Sequence, residues 1–155
     1  MAVSALTIRR AERTDMEPLV DLATRFYQTD GYQTDLAELP QRIEALLAHQ
    51  SAALFVADLE EEGVIGFVTV LLAQGLEFGR KAEIEALFVR TKVRGQRIGT
   101  SLLDEACRWA TAQDAQEIFL VIAAQGEPVR QLEQLYLGMD FEPSRRTLMY
   151  RHLTV

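Results

Sequence analysis

The spacing of apolar residues along the chain alternates between a helical period and short runs typical of strands. A short strand is predicted at Thr7–Arg10. A helix is predicted from about residue 15 to 28, beginning with Thr14 and Glu17 as a capping box. A second helix is predicted across Leu36–His49, where apolar residues again recur at helical spacing.

The middle of the chain predicts consecutive strands. Ala53–Ala57 and Val64–Leu72 are apolar runs, and the acidic turn between them favours an antiparallel hairpin. The next stretch, Ala73–Arg80, contains two glycines and is predicted to be a mobile loop. Lys81–Val89 is then predicted as a third strand of this series.

The last part of the chain predicts two helices and further strands. A helix follows a basic turn, Glu117–Ile122 is a buried-type strand, and Pro128 suits the first turn of a final helix. Phe141 and the segment Thr147–Leu153 predict one or two closing strands. The order indicates an α/β chain of the α+β type, with a mixed, mostly antiparallel central sheet of six to seven strands and helices on both faces.

Composition is that of a soluble globular protein. The 155 residues, 48% hydrophobic and 25% charged, predict a single domain over 1–155. No apolar run approaches the roughly 20 residues that span a bilayer, and the first ten residues do not resemble a signal peptide. Cys107 is the single cysteine, which excludes an internal disulfide, so we expect a cytoplasmic protein with no membrane partner.

Charge and histidine placement narrow the classes of function. The net charge of −7 argues against nucleic-acid binding and is compatible with a cationic substrate such as an amine. His49 and His152 are far apart and have no metal-like neighbours, so no metal site is expected.

The stretch from Glu85 to Leu103 carries the clearest chemical signal. An apolar strand runs into a basic, glycine-containing turn that opens directly into a helix. This order presents backbone N–H groups and the positive end of a helix dipole, both of which favour a phosphate or pyrophosphate. Arg94 and Arg97 add positive charge at the same place. The stretch therefore predicts a site for a phosphorylated ligand.

Two motifs, together with the order of elements, resemble the GNAT superfamily of acyl-CoA-dependent N-acetyltransferases. The family motif Arg/Gln-x-x-Gly-x-Gly/Ala is matched at its first and last positions by Arg94-Gly95-Gln96-Arg97-Ile98-Gly99, with Arg97 in place of the first glycine. The segment Leu135–Phe141 is similar to the family's Leu-Tyr-x-x-x-Gly-Phe, with Asp140 where glycine is usual. The resemblance implies a GNAT-like fold with acetyl-CoA as co-substrate. The residues it implies for acetyl-CoA binding are Leu87, Phe88, Val89, Arg94, Gly95, Gln96, Arg97, Ile98, Gly99 and Thr100.

Three acidic or phenolic residues are the candidates for catalysis. Glu83 and Glu85 lie two apart on a predicted strand, so they share a face and either could accept an ammonium proton or bind the amine. The resemblance favours Glu85 as the base, and Glu83 is then a candidate for substrate binding, while a solvated strand face is the alternative for each. It also implies Tyr136 as general acid for the leaving thiolate, and a core aromatic is the alternative.

The function implied is acetyl transfer from acetyl-CoA to a primary amine by direct attack in a ternary complex. The alternative is a catalytically weak acyl-CoA-binding sensor or scaffold, motivated by the departures at Arg97 and Asp140. The acceptor stays open between a small amine and a protein amine, and Tyr27 and Tyr32 are candidates to line its pocket or to be core residues. Homodimers are common in the family, so the resemblance allows a homodimer.

Overall fold

The computed structural model describes residues 5–29, 34–90, 97–122 and 127–153. Contacts along the chain separate a larger unit, Met1–Val121, from a smaller one, Ile122–Val155, and each is described by itself. The single domain expected over 1–155 stays a prediction.

The described residues contain five strands and four α-helices. The strands are β1 (Leu6–Arg10), β2 (Ala52–Leu59), β3 (Gly63–Gly75), β4 (Gly79–Val89) and β5 (Glu117–Leu120). The helices are α1 (Met16–Thr29), α2 (Leu39–Ala48), α3 (Ile98–Ala112) and α4 (Glu127–Leu137), of which α4 lies in the smaller unit.

The strands form one mixed sheet in the order β1-β2-β3-β4-β5. The first three pairings are antiparallel, and β4 pairs with β5 in parallel. The mixed, mostly antiparallel sheet is thus confirmed, but the expectation of six to seven strands is wrong, because the sheet has five. The predicted closing strands at Phe141 and Thr147–Leu153, both within the described residues, do not form, and the side chains of Thr147–Leu153 are exposed. A segment with strand-like composition forms a strand only where a neighbouring strand is available to pair with it.

Helices cover both faces of the sheet, as the order of elements predicts. On one face, α1 and α2 pack against Leu54 of β2 and Phe67 of β3 in one core cluster. On the other face, Trp109 of α3 and the Phe55 ring of β2 both contact the Arg10 guanidinium, at 5.6 and 5.5 Å from the ring centroids. Consecutive strand residues point to opposite faces, so Leu54 and Phe55 place the helices on opposite sides.

The start of α1 differs from the predicted capping box. Thr14 lies inside a short 3-10 helix, Arg13–Asp15, and the capping box is formed by Glu12 and Asp15. Asp15 is 5% exposed and receives two hydrogen bonds of 2.8 Å from the Arg9 guanidinium of β1. Arg9 also donates to Asp58 of β2. This network joins the beginning of α1 to two strands.

The expectation of a mobile loop over Ala73–Arg80 is wrong. β3 continues to Gly75 and β4 begins at Gly79, so only residues 76–78 form a turn. The glycines stand at the last and first positions of the paired strands, where they end the ladder at the Gly75–Gly79 pair. A long, regular hairpin therefore leads into the functional part of β4.

Candidate active site

A β-bulge in β4 sets the position of Glu85. Thr69 of β3 pairs with Ala86, and the next residue, Val70, pairs with Ile84, so Glu85 is the extra residue between them. Strict alternation would put Glu85 and Ala86 on opposite faces of the sheet. Both instead line the same cavity. Bulges are common beside active sites, where they redirect a side chain.

Thr69 connects the bulge to the Glu85 carboxylate. Its hydroxyl accepts the backbone N–H of Ala86 at 3.0 Å and donates to Oε1 of Glu85 at 3.4 Å. Although Glu85 as a whole residue is exposed to solvent, desolvation by the surrounding protein raises the pKa of its carboxyl, the charge of Glu83 raises it further, and the Thr69 hydroxyl acts in the opposite direction. A carboxylate with a raised pKa is a stronger base than an ordinary surface carboxylate.

Glu83 has a different environment. It is half-buried on β4, opposite Leu71 of β3, and it does not belong to the described wall of the cavity. Burial raises its pKa, and the neighbouring Lys81 lowers it. The two carboxylates are close enough to interact electrostatically, but Glu85 alone of the two faces the cavity.

The cavity lies between α1, α2 and the sheet and has a volume of about 490 Å³. This is within the size range of small-molecule sites. Tyr27 of α1 lies on its wall, and its ring packs edge-on against Phe26 at 4.8 Å, while its role in binding the acceptor stays a prediction. Most of the remaining wall is apolar: Leu19, Ala23, Leu39, Ile43, Ala45, Leu46, Leu54, Phe67 and Ala86. The α2 residues were predicted only as a helical stripe, because helical spacing does not distinguish a core face from a cavity wall.

The start of α3 retains features of an anion site. Arg97 is the N-cap residue, and its side chain forms no capping hydrogen bond. The first-turn backbone N–H groups of this 15-residue helix therefore have no hydrogen-bond acceptor on the Arg97 side chain. A Cβ built on Gly99 would lie 3.9 Å from Cγ2 of Val89, so the first turn of α3 adjoins the end of β4. Helix N-termini bind phosphate groups through such N–H groups, and these residues therefore fit a pyrophosphate. The predicted ligands Arg94, Gly95 and Gln96 lie outside the described residues.

The arginine that replaces the motif glycine adopts a glycine-like backbone. Arg97 has φ 61° and ψ 21°, in the left-handed region. Asp140, which stands at the second glycine position of the resemblance, has φ 68°. Left-handed backbone is inexpensive for glycine and costly for residues with a Cβ. Arg97 and Asp140 therefore differ from the family motif in residue type but adopt a backbone conformation that is readily accessible to glycine.

Leu87, Phe88 and Val89 form the end of β4. They pair, in that order, with Val68, Phe67 and Gly66 of the antiparallel neighbour β3. The parallel ladder between β4 and β5 runs from Lys81 to Ile84 on β4 and stops one residue before the bulge. The three residues predicted to bind the co-substrate therefore lie in the part of β4 that extends beyond its ladder with β5.

Tyr136 lies in the smaller unit, on α4. Its ring packs edge-on against Phe141 at 5.7 Å, and its carbonyl accepts the backbone N–H groups of Met139 and Phe141. These contacts confirm a folded Tyr-to-Phe segment, while the proton-donating role of Tyr136 stays a prediction. Tyr32, the second predicted pocket tyrosine, lies outside the described residues.

Across the described ranges, no three His, Cys, Asp or Glu side chains are grouped so as to hold a metal ion. Cys107 is half-buried on α3, and burial raises the pKa of its thiol, which disfavours the reactive thiolate. None of the helices in the described part of the chain has the length and apolar character needed to cross a membrane.

Comparison with known proteins agrees with this geometry. The sequence model of the Acetyltransferase (GNAT) family matches residues 16–139. An uncharacterized N-acetyltransferase from Archaeoglobus fulgidus is 30% identical over 109 residues, which cover 68% of this chain and 74% of the relative.

Solved structures show the same fold. An aminoglycoside N-acetyltransferase in complex with CoA superposes with a TM-score of 0.81 at 19% identity, covering 97% of each chain. An acetyltransferase from Clostridium acetobutylicum with acetyl-CoA superposes with a TM-score of 0.76 at 22% identity, covering 95% of this chain and 96% of the other. With a family match over most of its length, a bulged β4 and the helix start beside it, this chain belongs to the GNAT family of acetyltransferases.

Proposed function

We propose that the protein transfers an acetyl group from acetyl-CoA to a primary amine by direct attack in a ternary complex. The observation that carries the proposal is the position of Glu85, which the β4 bulge directs into a cavity of small-molecule size. The CoA and acetyl-CoA complexes of similarly folded proteins support the choice of co-substrate.

Glu85 is the proposed base. An amine enters the cavity as an ammonium ion and must lose a proton before its nitrogen can attack the thioester carbonyl carbon. The Glu85 carboxylate accepts this proton, directly or through water, and its raised pKa makes it better suited to do so. Glu83 acts on this step through its charge, which raises the pKa of Glu85.

The start of α3 is the proposed binding site for the pyrophosphate of acetyl-CoA. The part of β4 beyond Glu85 is the proposed binding site for the adjoining pantetheine arm. Main-chain N–H groups at the helix start, with Arg94 and Arg97, hold the phosphates by charge and hydrogen bonding. As the new amide bond forms, the carbon–sulfur bond breaks and the thiolate takes a proton from the Tyr136 hydroxyl, while the second proton lost by the amine nitrogen restores the phenol through solvent. A phenol with a pKa near ~10 carries that proton at neutral pH.

The first experiment is isothermal titration of the purified protein with acetyl-CoA, beside S-acetyl-4′-phosphopantetheine and S-acetylpantetheine, which lack part or all of the pyrophosphate. Saturable binding that weakens when phosphate groups are removed supports the pyrophosphate site. Absence of binding at accessible concentrations contradicts the site and the proposed function together.

Steady-state kinetics then distinguish an enzyme from the alternative, an acyl-CoA-binding module. Release of free CoA is followed with acetyl-CoA and an amine varied together, and intersecting patterns indicate a ternary complex. Ping-pong patterns with a stable acetyl-enzyme contradict direct attack. Tyr136→Phe removes the proposed proton donor, and we expect a lower kcat with little change in acetyl-CoA binding. If both wild type and Tyr136→Phe bind acetyl-CoA without transfer to any amine, the sensor alternative is favoured.

A further inference from the structure

The wall of the cavity beside Glu85 is chemically asymmetric. Nine of its described residues are aliphatic or phenylalanine side chains, contributed by α1, α2 and the sheet. Glu85 is the one carboxylate among the lining residues that the structure describes. The cavity therefore offers a large apolar surface and one anionic anchor.

Basic side chains stand on the same wall. Arg42 of α2 lines the cavity and pairs with Glu38 one helical turn earlier, at 2.5 Å. His49 also lines it, and its Nδ1 accepts the backbone N–H of Ser51 at 3.0 Å. If the acceptor amine carried a second or third ammonium group, that group would lie near Arg42 or His49, because the described wall has no carboxylate besides Glu85.

The local charge thus differs from that of the whole chain. The net charge of −7 is compatible with a polycationic acceptor, but at the cavity Arg42 is paired with Glu38, and Glu85 is the one carboxylate of the described wall. An ammonium ion buried without an anionic partner carries a large desolvation cost. Apolar surface, by contrast, gains free energy for each methylene that leaves water.

We propose that this cavity takes the apolar body of a primary monoamine, an alkylamine or arylalkylamine, whose amino group is held at Glu85. The inference rests on the proposed function, since it names the acceptor class of the same site. It excludes polyamines and polyhydroxylated aminoglycosides as preferred acceptors. The aliphatic residues of α2, with Phe67 of β3, surround the apolar body, and the bulge presents the carboxylate at one end.

Acetyl transfer to a panel of amines tests the acceptor class. We expect kcat/KM for 2-phenylethylamine to exceed that for spermidine and kanamycin by about tenfold or more, because their extra ammonium groups lack partners. From propylamine to hexylamine, kcat/KM should rise about fourfold for each methylene until the cavity is filled. A wild-type preference for spermidine or kanamycin overturns the inference and leaves the proposed function intact.

Two exposed alanines on α2 provide a matched pair of variants. Ala45 lines the cavity, and Ala48, the last residue of the same helix, does not. Ala45→Glu adds a second carboxylate to the wall, and we expect the preference for 2-phenylethylamine over spermidine to fall about fivefold. Ala48→Glu has the same net charge and should leave this ratio within about twofold. Equal ratios in the two variants contradict the inference.

Titration of 2-phenylethylamine in the presence of CoA separates this inference from the proposed function. Binding that is weakened by Glu85→Gln, without acetyl transfer by the wild type, retains the assigned cavity and contradicts the acetyltransferase proposal. Transfer to polycationic amines without binding of 2-phenylethylamine contradicts the cavity assignment alone. Neither binding nor transfer with any amine overturns both.

Discussion

The Thr69 hydroxyl lies 3.4 Å from Oε1 of Glu85, and it bridges this carboxylate to the backbone of the bulge through the N–H of Ala86. One side chain on β3 therefore stabilises both the irregular backbone of β4 and the charged form of the proposed base. Because the two bonds share one oxygen, a change at Thr69 should alter proton affinity and stability together.

Replacing Thr69 with valine tests this link. Loss of the donated bond removes the effect that lowers the pKa of Glu85, so we expect the acidic limb of the pH profile of kcat/KM to move to higher pH. The buried N–H of Ala86 also loses its acceptor, at a cost of about 1–3 kcal/mol in unfolding free energy. Urea unfolding measures the second effect.

Thr69→Ser is the matched control, because it keeps the hydroxyl and removes only a methyl group. Its acidic limb should coincide with that of the wild type. If valine and serine give the same pH profile, the hydroxyl does not act on Glu85. The amine's own ionisation is common to all three proteins and does not affect the comparison.

Glu85→Gln should be more stable than the wild type at neutral pH and above. The folded-state pKa of Glu85 is raised by desolvation, so its contribution to stability is present below the unfolded value and lost as pH rises through the folded value. Glutamine does not ionise and avoids this loss. Urea unfolding at about pH 8 should show the gain, and at about pH 4 the two proteins should be nearly equal.

Acetyl transfer by Glu85→Gln should fall by about 10²- to 10⁴-fold, as expected for removal of a general base. Glu83→Gln is its control, since it removes the neighbouring like charge and keeps the base. That variant should retain transfer, with an acidic limb at lower pH, because the pKa of Glu85 falls when the Glu83 charge is absent. Equal loss of activity in both variants contradicts the distinct roles assigned to the two carboxylates.

Arg97→Gly should raise the unfolding free energy by about 1 kcal/mol, because glycine adopts the observed positive φ at little cost. The same variant loses a cation at the start of α3, so titration should show severalfold weaker binding of acetyl-CoA. Arg97→Lys keeps both the charge and the strained backbone and should change neither quantity much. A glycine variant without a stability gain would show that the arginine conformation costs nothing.

Asp15→Asn should reduce the unfolding free energy by about 3 kcal/mol, because Arg9 then loses a nearly buried bidentate partner. The Arg9 guanidinium holds the pKa of Asp15 below its usual range, so this stabilisation is lost as pH falls through the folded-state value. The deficit of the variant, measured by urea unfolding, should therefore shrink in acid.

Asp21→Asn provides the comparison for this ion pair. Asp21 forms an exposed pair with Arg25 one helical turn later, at 3.2 Å, and such pairs contribute only about 0.3–0.5 kcal/mol. A similar loss in Asp15→Asn and Asp21→Asn would contradict the structural role of the Arg9 network.

The sequence by itself determined the order of elements and the family. Helical spacing identified the four helices, and apolar runs located β2, β3 and β4 to within a few residues. These signals are local, since each depends only on the period within one segment. The motif around Gly99 added the family, because a strand, a turn and a helix occur there in consecutive residues.

Tertiary structure decided the features that arise from contacts between two segments of the chain. The number of strands depends on pairing, and the segment Thr147–Leu153, predicted as a closing strand, pairs with no other strand of the described residues. The bulge at Glu85 arises from the register between β3 and β4, and alternation within β4 alone predicts the opposite face for Ala86. The cavity exists because α1 and α2 leave space above the sheet, and the residues of α2 follow the same helical period whether they face a cavity or a filled core.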